Sequence, residues 1–322
     1  MKINLSIDKL YIKFFMKLSL SILIRFIFIV IFFSFTNSYC QDSPSKILVV
    51  TAHPDDDAAF SGVNYKIIHD LKGIVDLAVI TNGEGGYKYS TLAEPIYGIE
   101  LTKESIGRKY LPEIRKKELE AGGKIVGIRH YFYFDQKDHR YITSADIREI
   151  LDSNIWDLEY IKTNLRNIIQ KEKYDFIFIL VPSLGTHAHH SSVGILTLEV
   201  VNSLDSNTRP IVLGGSNSRL TDTSKFVYTG FDIYPITSVS NSVSYMFDRT
   251  QKFGYKAALD YKIIVNWVIA EHKSQGTMQL LMNRGDLENY WYFDINPNSG
   301  LKKTQELFDK LKINYYPEKE YE

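Results

Sequence analysis

The sequence has little cysteine, no excess of either charge and no repetition. Its single cysteine, Cys40, cannot close a disulfide within the chain. Because Cys40 lies at the end of an apolar N-terminal segment, the rest of the chain has no thiol chemistry. Lysine and arginine number 38, as do aspartate and glutamate. This balance offers neither the basic surplus that nucleic acid binding requires nor an acidic tail. No internal repeat or low-complexity segment is found, which excludes solenoids and arrays. The glycines around Asn82-Gly83-Glu84-Gly85-Gly86 lack the Lys-Ser/Thr of a phosphate loop. They are read instead as allowing a ligand to approach the backbone closely.

The N-terminal segment differs from the remainder of the chain. Lys17 to Phe35 is apolar apart from Arg25, Lys13 and Lys17 precede it, and small or polar residues surround Ser38-Tyr39-Cys40. This is the layout of a secretory signal, with cleavage expected near Cys40-Gln41 and Met16 as an alternative start. The run is also long enough for a retained membrane anchor, although Arg25 argues against a stable span. Tyr39 argues against lipidation at Cys40. The expectation is an exported protein, periplasmic or secreted, touching membrane only through this segment if it is uncleaved. The chain divides into three regions: 1–40 as signal or anchor, 41–215 as the core, and 216–322 as a C-terminal extension.

Strand-like and helix-like patterns alternate through the core. Apolar runs at Ile47–Val50, Ile74–Thr81, Tyr131–Phe134 and Phe176–Val181 read as strands, with Pro210–Leu213 as one more. Between them lie helical patterns over 58–72, from Pro112 to about Val126, over 155–170, and from Ser191 to about Val201. The order predicts an α/β fold, a Rossmann-like, mostly parallel sheet with flanking helices. Residues 87–109 read as a long irregular stretch, a wall or lid over the site. Beyond Asn202 the pattern becomes an α+β extension, with a helix over 257–272 and helical segments at 278–282 and 304–311. The chain is rich in aromatics, with Tyr 22 and Phe 18. The run Tyr290-Trp291-Tyr292-Phe293 would suit a sugar cleft, but core packing is the favoured account.

Two clusters carry chemistry. Ile47–Val50 stops at His53-Pro54 and is followed by Asp55, Asp56 and Asp57. Ligands in open α/β sheets bind at the carboxyl ends of strands, and an imidazole among carboxylates there suits a divalent metal. The aspartates would equally favour the N-terminus of the next helix. The second cluster, His187-Ala188-His189-His190, holds three of the 8 histidines and follows another strand and a loop. Parallel strands would bring His53, Asp56 and His190 together, the ligand set of a catalytic zinc that keeps one position open for water. Asp135 and His139, in a charged loop after a third strand, are candidate substrate contacts. Arg115 alone reads as a surface ion pair.

Ala-His-Pro-Asp-Asp at 52–56, Thr-Asn-Gly-Glu at 81–84 and His-x-x-His at 187–190, followed by a helix, together resemble the PIG-L/LmbE-like deacetylases over roughly residues 46–200. That resemblance implies removal of an N-acetyl group from an N-acetylglucosamine-containing small molecule or glycan. It implies one Zn2+ per chain, another divalent metal being possible, held by His53, Asp56 and His190. Asp55 would be the general base, and His187 would polarise the carbonyl or act as acid. Arg115 would face substrate, with Glu84 of the second motif beside it. The family's H-P-D-D-E ends here in Asp57, and its H-P-D-H has His189 in place of the aspartate. Both would stand behind the ligands, where a carboxylate usually orients a histidine. Two alternatives remain: a zinc hydrolase of the same scaffold cutting another amide or acyl bond, and an inactive exported carbohydrate-binding protein.

Overall fold

The strand Lys46–Thr51 (β1) is buried on both faces, which is why its centre, Ile47 to Val50, is an unbroken apolar run rather than an alternation. Leu48 and Val50 face one core layer, with Ile177 and Ile179. Ile47 and Val49 face the other, with Phe176 and Phe178. The computed structural model describes residues 44–222 and 227–316, the backbone alone at 240–243. The expected leader, with Cys40, lies outside the described residues. Among those residues no helix is long and apolar enough to cross a membrane.

From β1 the chain passes through helix α1 (Ser61–His69) to β2 (Ile74–Thr81), then through α2 (Glu104–Val126) to β3 (Tyr131–Gln136). It continues through α3 (Leu158–Glu172) to β4 (Phe176–Leu180), and through α4 (Ala188–Asn202) to β5 (Ile211–Ser218). Two more strands, β6 (Val239–Asp248) and β7 (Leu287–Phe293), complete a seven-stranded sheet of order β3-β2-β1-β4-β5-β7-β6. β1 through β5 pair in parallel; β7 runs antiparallel between β5 and β6. The fold is thus the expected α/β sheet, with strands from the C-terminal region joining the same sheet. Strand order reverses between β1 and β4, the switch point where such sheets bind ligands. Both clusters lie just past those two strands.

Several boundaries differ from the sequence expectation. Helix α2 begins at Glu104, not Pro112, so the proline lies inside it and Arg115 is three turns in. Proline removes one intrahelical hydrogen bond, but buried Gly107 and Leu111 anchor the preceding turns. The stretch 87–109 is correspondingly ordered, with 3-10 turns at 84–89 and 91–93 and a short helix at 94–97. Helix α4 starts at Ala188, so His189 and His190 sit on its first turn rather than in a loop. Helix α5 covers only Lys262–Glu271 of the expected 257–272, and its Trp267 is exposed. Tyr290 and Phe293 are fully buried between the layers, as core packing requires. A last helix, α6 (Gly300–Leu311), covers β6.

Helix α2 approaches β3 through Gly123, where an added Cβ would lie 1.8 Å from the Tyr131 hydroxyl. Gly123→Ala is expected to overpack this contact, lowering stability by about 1–3 kcal/mol in a urea melt.

Candidate metal centre and catalytic site

The carboxyl ends of β1 and β4 bring His53, Asp56 and His190 into one cluster. His53 Nδ1 lies 3.1 Å from His190 Nε2, and His190 Nε2 lies 3.1 Å from Asp56 Oδ1. His53 Nδ1 is 3.4 Å from the other oxygen, Asp56 Oδ2. A tetrahedral site with ligand bonds of 2.0–2.1 Å has edges of about 3.3 Å. Asp56 Oδ2 accepts the backbone N–H groups of His53 (2.7 Å) and Ala52 (3.1 Å), which fixes the carboxylate and turns Oδ1 toward His190. On His190, the far ring nitrogen, Nδ1, lies 3.2 Å from Thr186 Oγ1. A proton on Nδ1 leaves Nε2 free to ligate.

The electrostatics favour a cation here. Burial opposes charge at His53, but Asp56, Asp138 and Asp55 raise its pKa to about 9. Burial also opposes charge at Asp56, yet His190 and His53 hold it well below the ordinary carboxylate range. Two imidazoles and a carboxylate suit zinc and similar divalent ions, and the residues present fit such an ion.

Histidines pack around the far edge of His53. The Nδ1 of His189, a fully buried residue, lies 3.0 Å from His53 Nε2. Asp138 Oδ1 is 3.7 Å from His53 Nε2 and 3.5 Å from His189 Nδ1. His187, at the N-cap of α4, stacks on His53 with centroids 5.0 Å apart and on Tyr141 at 4.8 Å. Burial, then the neighbouring His53 and His190, lowers its pKa to about 3, so the imidazole is neutral at neutral pH. Its Nε2 is buried without a hydrogen-bond partner. Such an atom is costly unless a ligand meets it.

Asp55 and Asp56 have different partners, as adjacent side chains in a turn require. Arg115 Nη2 pairs with Asp55 Oδ1 at 2.9 Å, and Nη1 donates to the Gly83 carbonyl at 2.7 Å. Arg115 is 2% exposed, which excludes the surface ion pair. Gly83 is left-handed (φ 71°), and a Cβ there would lie 2.7 Å from Arg115 Nη1. The glycines of this turn therefore admit the arginine. Buried Asp57 pairs with the fully buried His272 through Oδ1 and Nε2, 2.9 Å apart.

A cavity of about 500 Å³ opens over the cluster, lined by His53, Asp55, Asp56, Arg115, His187 and His190 among others. His139 lines it, with Asp138, Tyr141, Arg108 and Gln275. The other two candidate substrate contacts do not line it. Asp135 turns to Lys116, 2.7 Å away, and Glu84 pairs with Arg108 at 3.2 Å. No local signal marked His272 or Gln275; His272 stands 215 residues from its partner Asp57. A second space of about 460 Å³ shares Asp55, Asp56 and His190. Another acid-histidine group, Asp76 with His130 and Glu172, already holds a cation, because Arg129 pairs with both of its carboxylates.

Residues 48–201 match the family described as GlcNAc-PI de-N-acetylase, PIG-L. The probable N-acetyl-alpha-D-glucosaminyl L-malate deacetylase 2 of Bacillus cereus is 26% identical over 166 residues, which cover 52% of this chain and 65% of that protein. The match thus spans a little under two thirds of the relative's length. Solved structures similar to this chain include the N,N'-diacetylchitobiose deacetylase of Pyrococcus horikoshii, 16% identical, covering 85% of this chain and 84% of that one with a TM-score of 0.43. Another is the 4-carboxy-2-hydroxymuconate hydratase of Pseudomonas putida, 12% identical, covering 77% and 95% with a TM-score of 0.46. Residues 48–201, a little under half of the chain, are thus a PIG-L family domain.

Proposed function

We propose that the protein is a zinc-dependent hydrolase that removes the N-acetyl group from an N-acetylglucosamine-containing substrate. The observation that carries this reading is the convergence of His53, Asp56 and His190 at the switch point, with Asp55 beside them on the same cavity. The Bacillus cereus relative, named for an N-acetylglucosaminyl substrate, supports the sugar. The N-terminal segment supports export.

His53, Asp56 and His190 would hold the ion, which supplies Lewis-acid polarisation and acidifies water. Asp55, oriented by Arg115, takes the proton from water as its oxygen adds to the acetamide carbon. His187 Nε2, buried, unpartnered and on a neutral ring, donates to the developing oxyanion; this supports carbonyl polarisation over an acid role. Asp55 then returns its proton to the leaving nitrogen as the C–N bond breaks, giving acetate and the free amine.

Acetate release from N-acetylglucosamine glycosides, with zinc supplied, tests the reading. Turnover is expected; a protein that binds zinc yet releases nothing from any derivative would overturn the amino-sugar assignment. His189 acts one step back, on His53. His189→Leu is expected to weaken zinc binding about 10–100-fold in competition with a chromophoric chelator.

A further inference from the structure

The second space leads away from His190 into residues that the family match at 48–201 does not reach. Its far walls come from the end of β5 and from residues 278–285, with apolar Val265, Ile269 and Leu281 on one side. Three arginines line it, Arg219, Arg249 and Arg284. Arg249 is spent on Glu288, which it meets at 2.7 Å, and on backbone carbonyls. Arg219 and Arg284 are exposed, and neither has a carboxylate within ion-pair distance among the described residues. Asp222, an acid in the same wall, is turned onto the Arg219 backbone N–H at 2.7 Å. Asp286 feels the Arg219 charge but bonds Lys262 at 2.5 Å.

The first cavity is different. Its Arg108 is matched by Glu84 and Glu104, and its Arg140 by Glu149. Unmatched guanidinium charge at the site is therefore concentrated in the second space. Arginine binds carboxylate in a bidentate fork, and the apolar wall would take a short carbon chain.

We propose that this second space is the subsite for the substrate's aglycone, and that Arg219 and Arg284 select an aglycone bearing a carboxylate. The inference rests on the deacetylase reading: acetamide at the cluster, sugar across it, anionic substituent between the two arginines. Residues of the C-terminal region thereby set specificity for chemistry performed by the N-terminal motifs.

The test compares a matched pair of N-acetylglucosaminides, the methyl and the carboxymethyl glycoside, in both anomers. Charge-assisted hydrogen bonds favour the carboxymethyl compound by about tenfold or more in kcat/KM. In Arg219→Met/Arg284→Met that ratio should fall toward one, through KM for the anionic glycoside. Equal turnover of both by the parent protein would overturn the subsite and leave the deacetylase reading intact. If neither is turned over, the deacetylase reading fails. Calorimetric binding to the zinc-loaded protein then decides: tighter binding of the carboxymethyl glycoside, lost in the double variant, upholds the subsite, and equal binding refutes it.

Discussion

Asp55→Asn is expected to lower kcat for acetate release by about 10²–10⁴-fold while zinc stays bound at one ion per chain. Asparagine keeps the size of the side chain and an oxygen that accepts from Arg115, now 2.9 Å from Asp55 Oδ1. What it removes is the capacity to take a proton. KM should change little, because the contribution of a general base is realised in the transition state rather than in substrate binding. His190→Ala is the contrasting case: the donor set of two imidazoles and a carboxylate becomes one of each, so metal and activity disappear together. Steady-state kinetics and metal analysis on the same preparations separate the two. A parent-like kcat in Asp55→Asn would place the base elsewhere on the cavity wall, and Asp138 lines that wall.

Most of the sheet was legible because its strands are buried on both faces and read as continuous apolar runs. Ile74–Thr81 matches the observed strand end to end. The helix starts were less legible. Ala188, His189 and His190 look like loop because only the small Ala188 is apolar in the first turn of α4, whose order comes from packing and from histidine contacts. Pro112 reads as a helix start, yet tertiary burial of Gly107 and Leu111 carries α2 through it. The charged stretch at 135–141, which the structure divides between the end of β3 and the loop beyond it, offered several side chains of equal appeal. Only the fold shows that Asp135 points to Lys116 while Asp138 approaches His53 and His189.

The two departures from the family pattern can be placed in the same way. Where the family has an aspartate, His189 presents its Nδ1 to His53, and the nearby carboxylate comes instead from Asp138. Where the family has glutamate, the shorter Asp57 meets His272, supplied by the end of α5. Such exchanges involve residues remote in sequence, so no local motif contains both partners.

The turn that carries Asp55 to Asp57 is held by the C-terminal strands, and the strongest stability effect is expected there. Arg249 and Glu288 are both 2% exposed at their side chains and meet at 2.7 Å. Glu288 accepts the Gly62 N–H at 3.0 Å at the start of α1, and Arg249 donates to the Ala58 and Ala59 carbonyls at 3.1 and 2.8 Å. The pair therefore grips both sides of the backbone just past the aspartates. Arg249→Met would strand a buried carboxylate and leave two carbonyls without their donor, at a cost of about 3–5 kcal/mol. For a domain of this size the melting temperature should fall by roughly 10 °C. Adding Glu288→Gln should recover part of the loss, because the neutral amide still accepts the Gly62 N–H while no charge is left unpaired. Urea melts of the metal-free proteins read these terms without the contribution of bound zinc. A loss below about 1 kcal/mol in Arg249→Met would mean that the turn is rigid on its own. The expected loss makes the region beyond residue 215 a structural support of the aspartate turn, because it supplies the ion pair that fixes where Asp55 and Asp56 stand.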